Sequence, residues 1–279
     1  MSFRFNHLNR LGNRMEVSIP KDDEGYIGRE CPQPECEGYF KIKPGTGLRG
    51  ENLPCFCPCG PFSIGISMKV KHGAPLPIRY YREKALETRV TCDHCTLEYA
   101  VFGVFAYCPD CDVHNSLQIL HKNLDLTRRQ LNLADTLSDV DLRQHLIDDA
   151  LENCVSAFDG FAREACRIRS AKSTDPAKCA SLSFQHLPRG AARLQALFGI
   201  DLSASVPLTH WSAAHVGFMR RHVLAHKAGV VDQQYLDETG EPPSLLGRRL
   251  RITSDDVRRL ADIVMSVGRQ LIALLPTPR

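Results

Sequence analysis

Cysteines paired at short intervals constrain the N-terminal part of this chain more than any other feature. Cys92-x2-Cys95 and Cys108-x2-Cys111 are separated by twelve residues. Two such turns joined by a hairpin can place four thiolates around a tetrahedral Zn²⁺ ion. The intervening segment 97–107 is rich in Tyr, Val and Phe, as a β-hairpin should be. The spacing therefore predicts a structural zinc site with no coordination position left open for catalysis.

A second group of cysteines lies nearer the N-terminus and is less regularly spaced. Cys31-x4-Cys36 is followed by Cys55, Cys57 and Cys59. The single residue between Cys57 and Cys59 is a tighter spacing than usual, and the three residues between Cys55 and Cys59 are a looser one. We prefer Cys31, Cys36, Cys57 and Cys59 as zinc ligands, with Cys55 as the alternate ligand. Since this site can also be degenerate, the sequence predicts one or two structural zinc ions.

The remaining cysteines and the lengths of the apolar runs bear on the cellular compartment in which the protein is expected. Cys154, Cys166 and Cys179 stand alone in helical segments and are predicted to be small core residues. No apolar run is long enough to span a bilayer, and the first residues lack the apolar core of a signal peptide. We therefore expect a cytoplasmic protein with no membrane partner. Disulfides are disfavoured in a reducing compartment, which favours metal binding by the paired cysteines.

Composition and charge divide the chain into two parts. With 24% charged and 43% hydrophobic residues, the 279-residue chain is typical of a soluble globular protein. Residues 1–115 contain 14 basic and 14 acidic residues, and the remainder contains 21 and 18. We predict an α+β fold: β zinc-ribbon modules in 1–115, with cysteine groups in 26–60 and 89–114, a connecting helix in 116–138, and an all-α bundle in 139–279.

Apolar residues at helical spacing define the predicted bundle. One stripe marks a long first helix that we expect to be capped by Ser138, and another marks a last helix capped by Ser254. The two stripes consist of Ile147, Leu151, Cys154, Phe158, Phe161, Ala165 and Ile168, and of Val257, Leu260, Val264, Val267, Leu271 and Leu274. These helices each present an apolar face to a common core.

Shorter helices are expected between these two. Asp175-Pro176 is a cap followed by a first-turn proline, and a further helix should run from Pro188 to Gly199. Thr209 should cap the next helix. The stretch of about twenty residues after Lys227 contains several Gly and Pro residues and is expected to be a functional loop.

The segment 220–227, with the sequence RRHVLAHK, is dense in groups that act on phosphates. Arg offers a planar fork of donors, and His moves protons near neutral pH. His222 and His226 share a helix face, whereas Arg221 and His226 lie about 140° apart on an ideal helix. The latter two converge only through the long arginine side chain, a helix end or a second subunit. A metal site made by His222, His226 and Asp232 is an alternative interpretation.

The C-terminal part resembles a HEPN domain, a family of helical-bundle proteins many of which are RNases. The resemblance rests on Arg221, His222 and His226, which fit a signature of Arg, a polar residue, and His four to six positions after the Arg. The flanking stretches 157–164 and 199–202 and the tail that follows His226 also fit. The resemblance covers roughly residues 140–275, and residues 26–114 resemble zinc ribbons in general.

The resemblance implies a metal-independent endoribonuclease that works at the cleft of a homodimer. His226 would be the general base and acid, Arg221 would hold the scissile phosphate, and His222 would position either one or bind substrate. No cofactor would take part in catalysis, and zinc would be structural. Such proteins often act as toxins or in antiviral defence, which implies RNA as substrate and an antitoxin or trigger protein as partner. First-helix polar residues that would line the same cleft are Asp159, Arg163 and Glu164.

The sequence is also compatible with two other functions. One is a non-catalytic HEPN module that binds RNA or a protein. The other is a zinc-ribbon regulator that binds DNA and dimerises through its helical half.

Overall fold

The computed structural model divides the chain into two compact units, Met1–Gln118 and Ile119–Arg279. In the part of the chain that the structure describes, the first unit contains short β strands and the second contains α helices, which agrees with the predicted α+β class. The boundary falls inside the first helix, near its N-terminal end. The structure describes residues 3–8, 14–19, 24–30, 39–43, 45–46, 55–57, 60–62, 87–102, 104–111 and 113–277.

The described residues of the first unit form three antiparallel sheets. Their strands are β1 (Phe3–Leu8), β2 (Arg14–Ile19), β3 (Ile27–Glu30), β4 (Tyr39–Ile42), β5 (Cys55–Cys57), β6 (Gly60–Phe62), β7 (Glu87–Thr91) and β8 (Glu98–Phe102). Strands β1 and β2 pair with each other, as do β5 and β6, and the central sheet has the order β3-β4-β8-β7. Leu97, Tyr99 and Val101 are buried beside β7, so the hairpin β7–β8 holds the core of this unit.

Seven α helices make up the described part of the second unit. They are α1 (Ser116–Asp135), α2 (Val140–Arg167), α3 (Pro176–Cys179), α4 (Leu187–Phe198), α5 (Leu208–Lys227), α6 (Gln233–Thr239) and α7 (Ser254–Leu274). Helix α2 packs on α5 and α7 through the predicted stripe. Phe158 of α2 contacts Phe218 of α5 and Phe184 edge-to-face, at ring separations of 5.8 and 6.0 Å. No described helix combines the length and apolar character needed to cross a bilayer.

The caps of the long helices differ from the predicted ones by one residue. Asp139, not Ser138, caps α2, because its carboxylate accepts two backbone N–H groups of the first turn. Thr253, not Ser254, caps α7 in a reciprocal capping box with Asp256. Two adjacent residues with short acceptor side chains are equally good candidates for the cap when judged from the sequence, and only the backbone geometry decides which one caps the helix.

The shorter helices follow the prediction in part. Asp175 caps α3 ahead of a first-turn proline, and Gly199 ends α4 in the left-handed conformation, as expected. The expected cap at Thr209 is wrong, since α5 begins at Leu208 after Pro207 and has no side-chain cap. The fixed φ of proline directs the chain into that helix instead.

The segment 228–252 is more ordered than the predicted loop. It contains α6 and a single antiparallel bridge between Val230 and Arg249. Val231 and Tyr235 are buried against Met219 and Val223 of α5. The frequent Gly and Pro residues suggested irregular structure, but the apolar residues between them attach the segment to α5.

Candidate functional site

The four cysteines 92, 95, 108 and 111 converge at one end of the β7–β8 hairpin. All four sulfur atoms lie within 4.8 Å of one another. The Cys92–Cys111 and Cys95–Cys108 sulfur pairs are each 3.5 Å apart. A tetrahedral ion with metal–sulfur bonds of about 2.3 Å requires sulfur separations of about 3.8 Å. The cluster is therefore compatible with a single metal ion, and these distances are far too long for a disulfide.

Backbone N–H groups surround the sulfur atoms. Cys92 Sγ accepts from the N–H groups of His94 and Cys95, and Cys108 Sγ accepts from those of Asp110 and Cys111. Burial raises the pKa of the Cys92 thiol, but these backbone donors and the hydrogen bonds with the Cys111 and Cys95 side chains lower the pKa overall. Each Cys-x2-Cys turn thus directs its peptide dipoles at sulfur, an arrangement that stabilises thiolate charge.

Burial acts in the opposite direction on the other thiols. It raises the pKa of Cys95 to about 12 and raises the pKa of Cys108 and Cys111. Among the described residues the buried Tyr99 hydroxyl has no hydrogen-bond partner, and its pKa is raised by burial and by the neighbouring cysteines. A positive ion among the thiolates would compensate this accumulation of buried negative charge. The donor set therefore fits a metal that binds sulfur.

The predicted second zinc site falls largely outside the described residues. Cys31, Cys36 and Cys59 lie outside them, and only the backbone of Cys55 and Cys57 is described, in β5. The second site therefore stays a prediction.

In the helical unit, Arg221 is paired with a residue that the sequence did not single out. Its Nε donates to Glu152 Oε2 at 2.6 Å, and its Nη2 donates to Glu152 Oε1. Arg221 is only 9% exposed and faces α2, whereas the Glu152 side chain is 41% exposed. This pairing occupies one edge of the guanidinium. Nη1 and the second N–H of Nη2 form no hydrogen bond within the described part of the chain.

His222 and His226 lie together near the C-terminal end of α5. Their ring centroids are 4.8 Å apart with an interplanar angle of 56°. His226 is exposed and His222 is partly buried. The pKa of His222 is lowered by burial first, then by the positive charge that His226, Lys227 and Arg221 can carry, against an opposing effect of Asp232. His222 is therefore held in its neutral form near neutral pH.

Arg221 and His226 are brought to the same end of α5 but not to the same face. Arg221 is buried against α2, and His226 is exposed to solvent. This matches the angular separation expected for residues five apart in a helix. Within one chain the two side chains therefore present their polar atoms in different directions.

Asp159, Arg163 and Glu164, which the sequence placed beside the cleft, lie on α2 and have partners within the chain. Buried Asp159 accepts from the Phe184 N–H at 2.5 Å and from the Ser183 hydroxyl at 3.1 Å. Arg163 lies 3.7 Å from the same carboxylate, and Glu164 pairs with Arg167 in two hydrogen bonds of 2.6 and 2.9 Å. Asp159 thereby fixes the segment that leads into α4. The acidic residue that meets Arg221 is Glu152, seven residues earlier on α2.

The alternative metal site at the histidines has no compact geometry. Within the described residues, the four cysteines form the one group of three or more His, Cys, Asp or Glu side chains with ligand atoms this close. His222, His226 and Asp232 do not meet that criterion. Asp232 instead caps α6 and lies 3.4 Å from the Lys227 ammonium.

Comparison of the chain with protein-family models, with curated proteins and with solved structures finds no match. The functional assignment therefore rests on the residues and their geometry.

Proposed function

We propose that the helical unit is a HEPN-like bundle that acts as a metal-independent endoribonuclease. The observation that carries this proposal is the position of Arg221, His222 and His226 in the last two turns of α5. Arg221 is anchored by Glu152, and the exposed ring of His226 stands beside neutral His222. A proton-transfer group and a fixed cation are the two elements that RNA cleavage without metal requires.

The proposed reaction starts at the ribose of the RNA. His226 removes the 2′-OH proton, and the oxygen attacks the adjacent phosphorus. The bond from phosphorus to the 5′ oxygen breaks, and protonated His226 returns a proton to that leaving oxygen. The products are a 2′,3′-cyclic phosphate and a free 5′-hydroxyl. DNA lacks the attacking 2′-OH, so this chemistry selects RNA.

Arg221 would stabilise the negative charge that develops on the phosphoryl oxygens. Its Nε–Nη2 edge is held by Glu152, and its Nη1–Nη2 edge retains donors for a phosphate. Glu152 is therefore proposed as a positioning residue that fixes the guanidinium. His222, kept neutral by burial and by neighbouring charge, would orient His226 or accept a hydrogen bond from substrate.

A homodimer would complete the active site. Because Arg221 and His226 face different directions within one chain, we propose that each site combines Arg221 of one copy with His226 of the other. Mixing inactive Arg221→Ala and His226→Ala chains should then restore about one quarter of the wild-type rate after random exchange. If both residues of a site come from one chain, the mixture stays inactive.

We propose Zn²⁺ as the metal of the cysteine cluster at 92, 95, 108 and 111. Four thiolates close the coordination sphere, so the ion would be structural and its binding energy would contribute to folding. The role of the first unit in the reaction would be to support the protein rather than to carry chemistry.

The reaction is tested by incubating the full chain with labelled RNA and with DNA of the same sequence, in EDTA at a concentration that leaves the bound zinc in place. We expect cleavage of RNA alone, with cyclic phosphate ends. Binding of RNA without cleavage would favour a non-catalytic module. A DNA gel shift without cleavage would favour a DNA-binding regulator.

A further inference from the structure

Backbone hydrogen bonds close the segment 229–252 on itself at the end of α5, where the Gly229 N–H donates to the Val223 carbonyl at 3.1 Å. The Val231 N–H donates to the Arg248 carbonyl at 2.9 Å, and the Leu250 N–H donates to the Gly229 carbonyl at 2.8 Å. Further along the segment, Glu241 accepts from Arg220 at 2.9 Å and from the Tyr235 hydroxyl at 2.8 Å. The segment thus has a defined position relative to the histidines on α5.

Three arginines lie within four residues of this segment and are left without acidic partners. Arg248, Arg249 and Arg251 are exposed, and none has a carboxylate within 4.0 Å in the part of the chain that the structure describes. The sequence from 242 to 252 contains no Asp or Glu. Several other arginines of the helical unit pair with carboxylates, among them Arg128 with Asp262 and Arg258 with Asp135. The fold therefore leaves a local excess of positive charge here.

Arg249 lies next to the end of α5 that carries His226. Gly229, three residues after His226, adopts a φ of +80°. A Cβ at Gly229 would lie 3.4 Å from Arg249 Cγ and 3.6 Å from its Nε. The Arg249 side chain therefore passes over the end of α5. At the same end of α5, the Lys227 ammonium forms an ion pair with Asp232 at 3.4 Å.

We infer that Arg248, Arg249 and Arg251 form a docking surface for the phosphodiester backbone of single-stranded RNA beside His226. This inference rests on the proposed function, because the reaction at His226 supplies the reason for RNA to lie there. We call these three residues the arginine surface.

Electrostatic attraction would drive RNA binding at the arginine surface. Three unpaired guanidiniums repel one another, and an anionic chain with regularly spaced phosphates relieves that repulsion on binding. Arginine side chains match phosphate oxygens with paired N–H donors. Contacts of this kind carry no base specificity, so the arginine surface would strengthen binding to RNA of any sequence.

The test uses the full chain and a fluorescent 2′-O-methyl RNA oligonucleotide, which retains phosphates but cannot be cleaved. Affinity is measured by anisotropy over a range of salt concentrations, with DNA of the same sequence in parallel. The triple variant Arg248→Gln, Arg249→Gln, Arg251→Gln should weaken RNA binding by about tenfold to a hundredfold near 0.1 M salt. The slope of log affinity against log salt should become shallower by about 2. DNA should lose a similar factor, because the contact is to phosphate.

A charge-matched control separates this surface from general charge effects. Arg129, Arg189 and Arg269 lie on α1, α4 and α7, are exposed and have no carboxylate within 4.0 Å among the described residues. Their triple Gln variant should bind RNA like the wild type. The inference is overturned if the 248–251 variant binds normally, or if the control loses as much affinity.

The two proposals can fail separately. A wild-type chain that binds RNA through the arginine surface but never cleaves would refute the ribonuclease and leave the docking surface in place. Cleavage with an unchanged KM in the 248–251 triple variant would refute the docking surface and leave the ribonuclease in place.

Discussion

The guanidinium of Arg221 on α5 and the carboxylate of Glu152 on α2 form a bidentate ion pair, in which Nε donates to Oε2 at 2.6 Å and Nη2 donates to Oε1. The pair joins two helices of the bundle at the proposed site. Because Arg221 is buried, its charge depends on this one carboxylate within the described part of the chain. The ion pair therefore couples the stability of the bundle to the orientation of the proposed phosphate-binding group.

Glu152→Ala should lower both stability and activity. Loss of the carboxylate leaves the Arg221 charge buried and unpaired, at a cost of about 1 to 3 kcal/mol after allowing for the partial exposure of Glu152. Urea denaturation measures this change. RNA cleavage should show a lower kcat, and Glu152→Gln, which keeps one acceptor oxygen, should recover part of it. Faster cleavage by Glu152→Ala would mean instead that Glu152 blocks Arg221.

Zinc should be bound by the cluster at 92, 95, 108 and 111. Elemental analysis of the purified chain should give about one zinc per chain, or two if the N-terminal cysteine group also binds. Cys92→Ser should remove one equivalent and lower the melting temperature and solubility, since metal binding contributes folding energy. Cys154→Ala is the matched control, because this buried thiol of α2 lies outside the cluster, and it should retain all zinc. A purified wild-type chain without zinc would contradict this account.

The pKa of His222 should lie below the usual value of about 6.5. Burial and neighbouring positive charge lower it, and His226 is the largest of the charge effects. NMR titration should show His226→Ala raising the pKa of His222 toward, but not to, the ordinary value, because burial remains. Since the folded-state pKa is depressed, the contribution of His222 to stability is complete above about pH 6.5 and is lost as pH falls below it. A His222 pKa above 6.5 would contradict the described environment.

Asp159→Ala should act on stability. The substitution leaves the buried Phe184 N–H and the Ser183 hydroxyl without their acceptor, at a cost of about 2 to 3 kcal/mol. Arg163→Ala, which removes only the exposed partner at 3.7 Å, should cost less than about 0.5 kcal/mol. Chemical denaturation compares the two. A loss of RNA cleavage by Asp159→Ala with unchanged stability would restore the cleft role expected from the sequence.

Structural elements whose physical cause is local could be predicted from the sequence. Cys92 and Cys95 lie in the turn of the β7–β8 hairpin, and Cys108 and Cys111 lie between the bridged residues Tyr107 and His114, so the spacing correctly predicted two adjacent turns. The hairpin expected within 97–107 was wrong, because β8 pairs with β7, which precedes Cys92. The apolar stripes of α2 and α7 follow from the 3.6-residue helical period. Cap positions were wrong by one residue at α2 and α7, where neighbouring side chains had equal capacity to accept hydrogen bonds.

Contacts between distant segments could not be predicted in the same way. Helix α2 carries several acidic residues, and no local pattern distinguishes Glu152 as the one that meets Arg221, 69 positions later in the sequence. As a charged residue, Asp159 would be expected on the surface, but the segment before α4 buries it. The order in the segment 228–252 depends on apolar contacts with α5, which its Gly and Pro content concealed.

The proposed ribonuclease depends on Arg221 and His226. The most direct measurement is the single-turnover rate of RNA cleavage by the wild-type, His226→Ala, Arg221→Ala, Arg221→Lys and His222→Ala chains. We predict that His226→Ala and Arg221→Ala each reduce the rate by roughly 10² to 10⁴ with the fold intact. Arg221→Lys should recover little of the cleavage rate, because a lysine ammonium cannot bind the Glu152 carboxylate and a phosphate at the same time, as a planar guanidinium can. His222→Ala should reduce the rate less than His226→Ala or Arg221→Ala. Wild-type cleavage by both His226→Ala and Arg221→Ala would show that these residues are structural and would contradict the account.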